Sequence, residues 1–171
     1  MTPAKNPSLQ IIGSTEYVEI AGVKNIPAKI DTGADSSAIW ASNINMEQDG
    51  TLCFCLFDQE SPFYTGEIIK TTDYTVKSVR SSHGDKQIRY CVKLPIIIAG
   101  RVLETKFTLA DRSRNHFPIL IGRHTLEGNF LVDVAISSVD HHSPKTTPCL
   151  NQELQADPYA FHQKYLRKGA L

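Results

Sequence analysis

One carboxylate in this 171-residue chain stands where a strand pattern ends in a hydroxyl and a glycine: Ala28-Lys29-Ile30-Asp31-Thr32-Gly33-Ala34-Asp35-Ser36-Ser37. An apolar, strand-like approach that stops at Asp, Thr and Gly presents an acid on a tight loop at a strand end. Two carboxylates a few ångströms apart can hydrolyse a peptide without metal or covalent intermediate, because like charges that close share one proton. One takes a proton from water while the other polarises the carbonyl, and the resulting titration belongs to the pair. Asp31 is the only acid set in such a loop, so this chemistry requires a second copy of the chain.

The neighbouring residue types fit the task. Ile30 ends the strand that fixes the acid, and Thr32 can hydrogen-bond across to a second copy of the loop. Gly33 lets the backbone turn sharply and donate an N–H towards the carboxylate. The tripeptide alone also reads as an ordinary strand-terminating turn, since Asp and Gly are common there. Context has to decide.

The elements that would position Asp31 are short strands. Alternating or β-branched runs occur at 11–13, 17–20 and 26–30, then at 52–57, 68–69, 74–79, 88–98, 102–110, 119–121 and 130–136. Ala21-Gly22 and Ala99-Gly100 read as turns, the latter a hairpin between two long strands. Helical pattern is confined to 123–127, closed by Gly128, and to 151–166, interrupted by Pro158. This predicts an all-β barrel or sandwich-like fold. The organisation expected is a tail (1–10), one β-domain (11–139) and a partly helical appendage (140–171), which opens with the loop-like Asp140-His141-His142-Ser143-Pro144.

Apolar content of 41% and charged content of 21% place the chain outside the disordered class. Eighteen basic residues balance eighteen acidic ones, which gives no reason to expect nucleic acid or an anionic membrane as partner. No apolar run reaches membrane-spanning length, and the polar start lacks the apolar core of a secretory signal. Cys53, Cys55, Cys91 and Cys149 form no C-x-x-C pair and read as reduced and structural. A cytoplasmic location follows as an expectation.

With those elements in place, the Ala28–Asp35 loop resembles the active-site loop of retropepsins, the homodimeric aspartic proteases of retroviral type. Pro118-Ile119-Leu120-Ile121-Gly122-Arg123 resembles their second signature, and residues 90–110 resemble the long hairpin after the flap. The resemblance spans about residues 16–137 and implies a closed acid-protease barrel with a flap. It is closer to a bacterial branch often labelled ATP-dependent zinc proteases and associated with RimK-type ligases. That likeness rests on Ser78-Val79-Arg80-Ser81-Ser82-His83-Gly84-Asp85, Arg89-Tyr90, Leu109-Ala110-Asp111-Arg112, Ile121-Gly122-Arg123-His124-Thr125-Leu126 and Leu131-Val132-Asp133.

The resemblance implies roles residue by residue. Asp31 matches the catalytic aspartate, within the catalytic set Asp31, Thr32 and Gly33, and Thr32 matches the hydroxyl that grips its symmetry mate. Ala34 and Asp35 match positions flanking the substrate backbone, and Arg123 matches the arginine that pairs with Asp35 and helps hold the dimer. If desolvated, that pair would be costly to break on one side; a solvated surface charge at each residue is the alternative. Ser81-Ser82-His83-Gly84-Asp85, between arms at 74–80 and 86–92, reads as a flap tip, with Arg80, Ser81, Ser82, His83 and Gly84 as substrate-binding candidates. It carries one glycine and more polar groups than viral flaps. An ordinary exposed hairpin is the alternative.

Although the branch label names zinc and ATP, the chain carries neither H-E-x-x-H nor a phosphate-binding G-x-x-x-x-G-K-[ST]. Among His83, His116, His124, His141, His142 and His162, only the adjacent His141-His142 beside Asp140 suggests an ion, and loop neighbours seldom converge on one. Neither metal nor cofactor is expected. Cys91 lies in an apolar strand pattern and reads as core rather than nucleophile. Lys77, Arg80, Lys86 and Arg89 cluster on the flap arms; if they line the cleft, acidic peptide is attracted, and otherwise they are a solvated face.

The sequence thus predicts a homodimeric, retropepsin-like aspartic endopeptidase that uses water and a dyad of Asp31 from two chains, and the branch's association with ligases that add glutamate implies acidic, Glu-rich protein tails as a substrate class. A non-catalytic peptide-binding β-domain of the same fold is the alternative, followed by a zinc-dependent peptidase.

Overall fold

The computed structural model describes residues 8–80, 86–139 and 146–166. Its strands are β1 (Gln10–Ile12), β2 (Thr15–Ile20), β3 (Val23–Asp31), β4 (Ser37–Met46), β5 (Leu52–Leu56), β6 (Ile68–Thr71), β7 (Tyr74–Arg80), β8 (Lys86–Ile98), β9 (Arg101–Ala110), β10 (Ile119–Gly122) and β11 (Phe130–Val132). A single short helix, α1 (Arg123–Leu126), follows β10.

Six strands close on themselves. The order runs β10-β3-β2-β8-β9-β4, and a further pairing of β10 with β4 completes the ring. Closure removes the free edges that an open sheet would expose. Alternate residues point inward: Val18, Ile20, Ile26, Ala28, Ile30, Ile39, Ile96, Ile98, Phe107, Leu109, Ile119 and Ile121 form the core. The β2–β3 and β8–β9 connections turn through Ala21-Gly22 and Ala99-Gly100, each with positive φ at both residues. That geometry matches the right-handed twist of the flanking strands. The fold is therefore the closed, mostly-strand barrel that the resemblance implied.

β4 departs from the sequence reading, which placed no strand over Ser37–Met46. Ser, Ala and Asn dilute its pattern, and its first five residues are all buried, so no alternation shows. The strand exists because tertiary partners surround it: β9 in parallel, β10 and β5 antiparallel. The expected strand at 130–136 is also shorter. Asp133 accepts from the Ala135 N–H at 2.9 Å and turns the chain after Val132.

β7 and β8 form a hairpin in continuous register from Tyr74 opposite Val92 to Arg80 opposite Lys86. Its tip, Ser81, Ser82, His83, Gly84 and Asp85, lies outside the described residues, as does the side chain of Arg80. The expected loop at 140–144 is likewise outside them. Cys53, Cys55 and Cys91 are free thiols and buried.

The chain divides into two compact units, Met1–Val139 and Asp140–Leu171. In the second, α2 (Thr146–Ala156) begins before the predicted helical stretch. It is followed by α3 (Pro158–Phe161) and a π-helical turn (His162–Leu166). Pro158 interrupts as its chemistry requires: it opens α3, where a missing N–H costs nothing, and Asp157 caps it by accepting from the Ala160 N–H at 2.9 Å.

Candidate active site

β3 and β10 run parallel, with Asp31 opposite Gly122. Asp31 is the last residue of its strand, so its backbone is fixed by sheet hydrogen bonds while its side chain stands at the barrel rim. Two loop N–H groups then hold the carboxylate: Gly33 N and Ala34 N donate to Oδ1 at 3.1 and 3.2 Å. Both bonds converge on Oδ1 rather than Oδ2. Thr32 and Gly33 are exposed and Asp31 is half-buried.

The loop is clamped from below. Arg123 N donates to Ala34 O at 2.8 Å and His124 N to Asp35 O at 3.3 Å. A network of buried hydroxyls supports the same segment. Ser37 Oγ accepts from Gly122 N at 3.1 Å and bonds Thr125 Oγ1 at 2.8 Å, while Thr108 Oγ1 donates to Ser37 O at 3.2 Å. Fully satisfied buried networks rigidify what they hold. The Gly-Arg strand end and the loop are thus one construction, built from sequence segments about ninety residues apart.

Arg123 Nη2 lies 2.7 Å from Asp35 Oδ1, with the side chains 60% and 59% exposed. The two residues paired in the sequence reading do meet, but in the single chain the pair is solvated rather than desolvated. Lys77 stands opposite Arg89 across β7 and β8, and Arg80 opposite Lys86. Like charges directly opposite are unfavourable. Lys77 Nζ reaches over to donate to Ser36 Oγ.

Sequence reasoning gave no role to Arg112, although it lies in a block that carries the resemblance. It sits half-buried on the connection from β9 to β10 and donates from Nε to Phe117 O at 3.1 Å. Burial pushes its guanidinium below its usual pKa, Arg89 beside it adds to that, and the Asp31 carboxylate acts in the opposite sense. Burial alone lowers Arg89. Arginine keeps its charge regardless. Arg112 is therefore within electrostatic reach of both Arg89 and Asp31, and neither arginine forms an ion pair among the described residues. Only the fold brings β8 and the β9–β10 connection to one place, so no local signal announces Arg112.

Among the described residues, no group of three His, Cys, Asp or Glu side chains is placed to hold a metal ion. No described helix is long and apolar enough to cross a membrane.

A closed barrel with an Asp-Thr-Gly loop, braced by a Gly-Arg strand end beneath a long hairpin, defines the retropepsin-like class. The chain belongs to the RimB-like family, described as retropepsin-like aspartic endopeptidase RimB, which it matches over residues 11–143. A crystal structure of a Legionella pneumophila protein of unknown function superposes with a TM-score of 0.60 at 27% identity, covering 76% of this chain and 97% of that one. Two Shewanella proteins, each named "Probable alpha-L-glutamate ligase", are also similar. The Shewanella pealeana protein is 30% identical over 72% of this chain and 28% of its own length. The Shewanella halifaxensis protein is 28% identical over 84% of this chain and 30% of its own. The chain thus spans less than a third of these relatives.

Proposed function

We propose that this chain is an aspartic endopeptidase that works as a homodimer, with Asp31 of each copy forming the catalytic dyad. The observation that carries this reading is the carboxylate at the end of β3, opposite Gly122, with Oδ1 held by two backbone N–H groups. A group so positioned needs no reorganisation when charge moves in the transition state. In the dimer the two carboxylates share a proton; one accepts a proton from water as it attacks the peptide carbonyl, and the other donates to the carbonyl oxygen. The proton then passes to the leaving nitrogen.

Two exposed apolar residues support a surface for the second copy. Ile11 and Leu131 are register partners in the parallel β1–β11 pair, and they are 61% and 53% exposed on the single chain.

Charge supports an acidic substrate class. Arg112 within reach of Asp31, Arg89 beside Arg112, and Lys77 opposite Arg89 favour a polypeptide rich in carboxylates. Relatives named for glutamate ligation make glutamate-extended protein tails a coherent target.

The decisive comparison is wild type against Asp31→Asn on a peptide library across pH. Loss of all cleavage in the variant is expected. Cleavage retained by Asp31→Asn overturns the dyad, and binding without cleavage by the wild type points to the non-catalytic peptide-binding domain.

A further inference from the structure

β8 pairs with one edge of β9 from Arg101 opposite Ile98 to Thr108 opposite Cys91. β4 pairs with the other edge only from Phe107 opposite Ser37 to Ala110 opposite Trp40. Among the described residues, no strand or loop backbone bonds residues 102–106 on the edge that β4 leaves bare. In an antiparallel pair, alternate residues turn their N–H and C=O groups away from the partner. The bare edge of β9 therefore carries backbone donors and acceptors at strand spacing with no strand to meet them.

An unpaired edge on an open surface is a template for any other sheet. This one borders a cavity of about 640 Å³, whose other walls include Thr75 to Lys77 of the β7 arm and Thr125 of α1. Walls on both sides keep a second sheet away and leave room for one extended chain. Residues 103–106, which line the cavity, span about 13 Å at the rise of a strand. Ser36, the residue between Asp35 and the start of β4, also borders it. The slot thus adjoins the catalytic loop, and a strand placed in it would prolong the line of β4 along β9.

We propose that this edge docks an extended stretch of the substrate polypeptide lying beyond the residues over Asp31, which adds to β9 as a strand where β4 is missing. The proposal rests on the peptidase reading above and deepens it, by giving the enzyme a second hold on its substrate that reads backbone rather than charge. Strand addition to a sheet edge draws its affinity from main-chain hydrogen bonds, which every polypeptide can supply. The neighbouring catalytic loop favours the chain already held there over an unrelated partner. Once one stretch is seated, the adjoining stretch arrives at high effective concentration, so a weak backbone pairing still adds to affinity. Substrates are then selected by length and extended conformation as well as by their carboxylates.

The test uses full-length Asp31→Asn protein, so that binding is read without turnover. Its probes are hexaglutamate, hexaglutamate extended at either end in turn by about six alternating threonine and glutamine residues, and the extended peptides N-methylated on either alternate set of amides in the extension. Calorimetry is expected to show one extended peptide binding about tenfold tighter than hexaglutamate, the scale of one or two net hydrogen bonds. Hydrogen exchange should show added protection at residues 102–106 with that peptide and not with hexaglutamate. Methylation of the amides facing β9 should abolish both effects. Equal affinity for short and extended peptides, or no binding of either, overturns the proposal, as does tighter binding without protection at 102–106. Ser8 O accepts from Arg101 at the start of β9. Protection of 102–106 in the free protein that disappears when residues 1–7 are removed would therefore also overturn it, making the chain's own N-terminal segment the occupant. The peptidase reading fails differently, by cleavage that survives Asp31→Asn.

Discussion

Asp31 and Gly122 face each other across the parallel β3–β10 pair, and the absence of a side chain on Gly122 lets the Asp31 loop fold over it. A Cβ built on Gly122 would stand 2.5 Å from the carbonyl carbon of Ser36 and 2.9 Å from Ala34 O. Both are backbone atoms, so relief requires the loop itself to move. Gly122→Ala is expected to lower stability by about 1–3 kcal/mol, as overpacking does. It should also cut kcat on the order of 10²-fold, because small misplacements at a catalytic group are costly. Denaturant midpoints and single-turnover rates check the two effects separately. Full activity in Gly122→Ala would show that the close approach does not position the acid.

Leu131→Lys is expected to leave the single chain folded, since Leu131 is already exposed there, in register with Ile11 across the β1–β11 pair. It should abolish dimerisation and, with it, cleavage. Sedimentation velocity and activity measured against protein concentration provide the check. A monomeric variant that cleaves as well as wild type would place both catalytic groups within one chain.

Much of this arrangement is legible in the sequence because it is local. The β-run ending at Asp31, the Gly33 turn and the Gly-Arg start of α1 each announce themselves within a few residues. β4 does not, because five consecutive buried positions containing Ser, Ala and Trp carry no period for a pattern to reveal. Arg112 is hidden for a related reason: its partners, Arg89 and Asp31, arrive from other strands. Asp35 and Arg123 were matched through resemblance, and their contact is direct, but their exposure is a property of packing that no spacing encodes.

That exposure makes a quantitative prediction. As a solvated pair, Asp35–Arg123 should contribute no more than about 1 kcal/mol to the stability of the single chain. If dimerisation buries it, removing one partner leaves an uncompensated charge and costs more. A double-mutant cycle of Asp35→Asn and Arg123→Gln, run at protein concentrations below and above dimer formation, should give a larger coupling in the dimer. Equal coupling at both concentrations would place the pair outside the interface.

Arg89→Gln and Arg112→Gln are expected to raise KM for Glu-rich peptides about tenfold each, on the scale of a charged hydrogen bond, with little change for neutral peptides. Desolvation of Arg89 is already unfavourable, so Arg89→Gln should leave the melting temperature unchanged or raise it, whereas Arg112→Gln also removes the Nε bond to Phe117 O and should lower it. Equal losses on acidic and neutral peptides would assign the arginines to general positioning of substrate.

The acid limb of stability should depend on Glu47, which directly follows β4. Lys70 Nζ lies 2.6 Å from Glu47 Oε1, and the buried Cys53 thiol donates to the same oxygen at 3.3 Å. The Lys70 hydrogen bond chiefly, and the Cys53 bond after it, hold the Glu47 carboxyl below its ordinary value of about 4.5. Between the folded and unfolded values the unfolded chain binds more protons, so this contribution is present above about pH 4.5 and is lost as the pH falls through the folded value. Lys70 is shifted up from 10.5 by the same hydrogen bond, so its contribution is present below that pH and disappears as the pH rises through the folded value. Glu47→Gln should therefore melt below wild type near neutral pH, with the gap closing at both acid and alkaline ends. Melting curves from pH 2 to 11 test this, and a gap independent of pH would show that Glu47 acts through packing rather than charge.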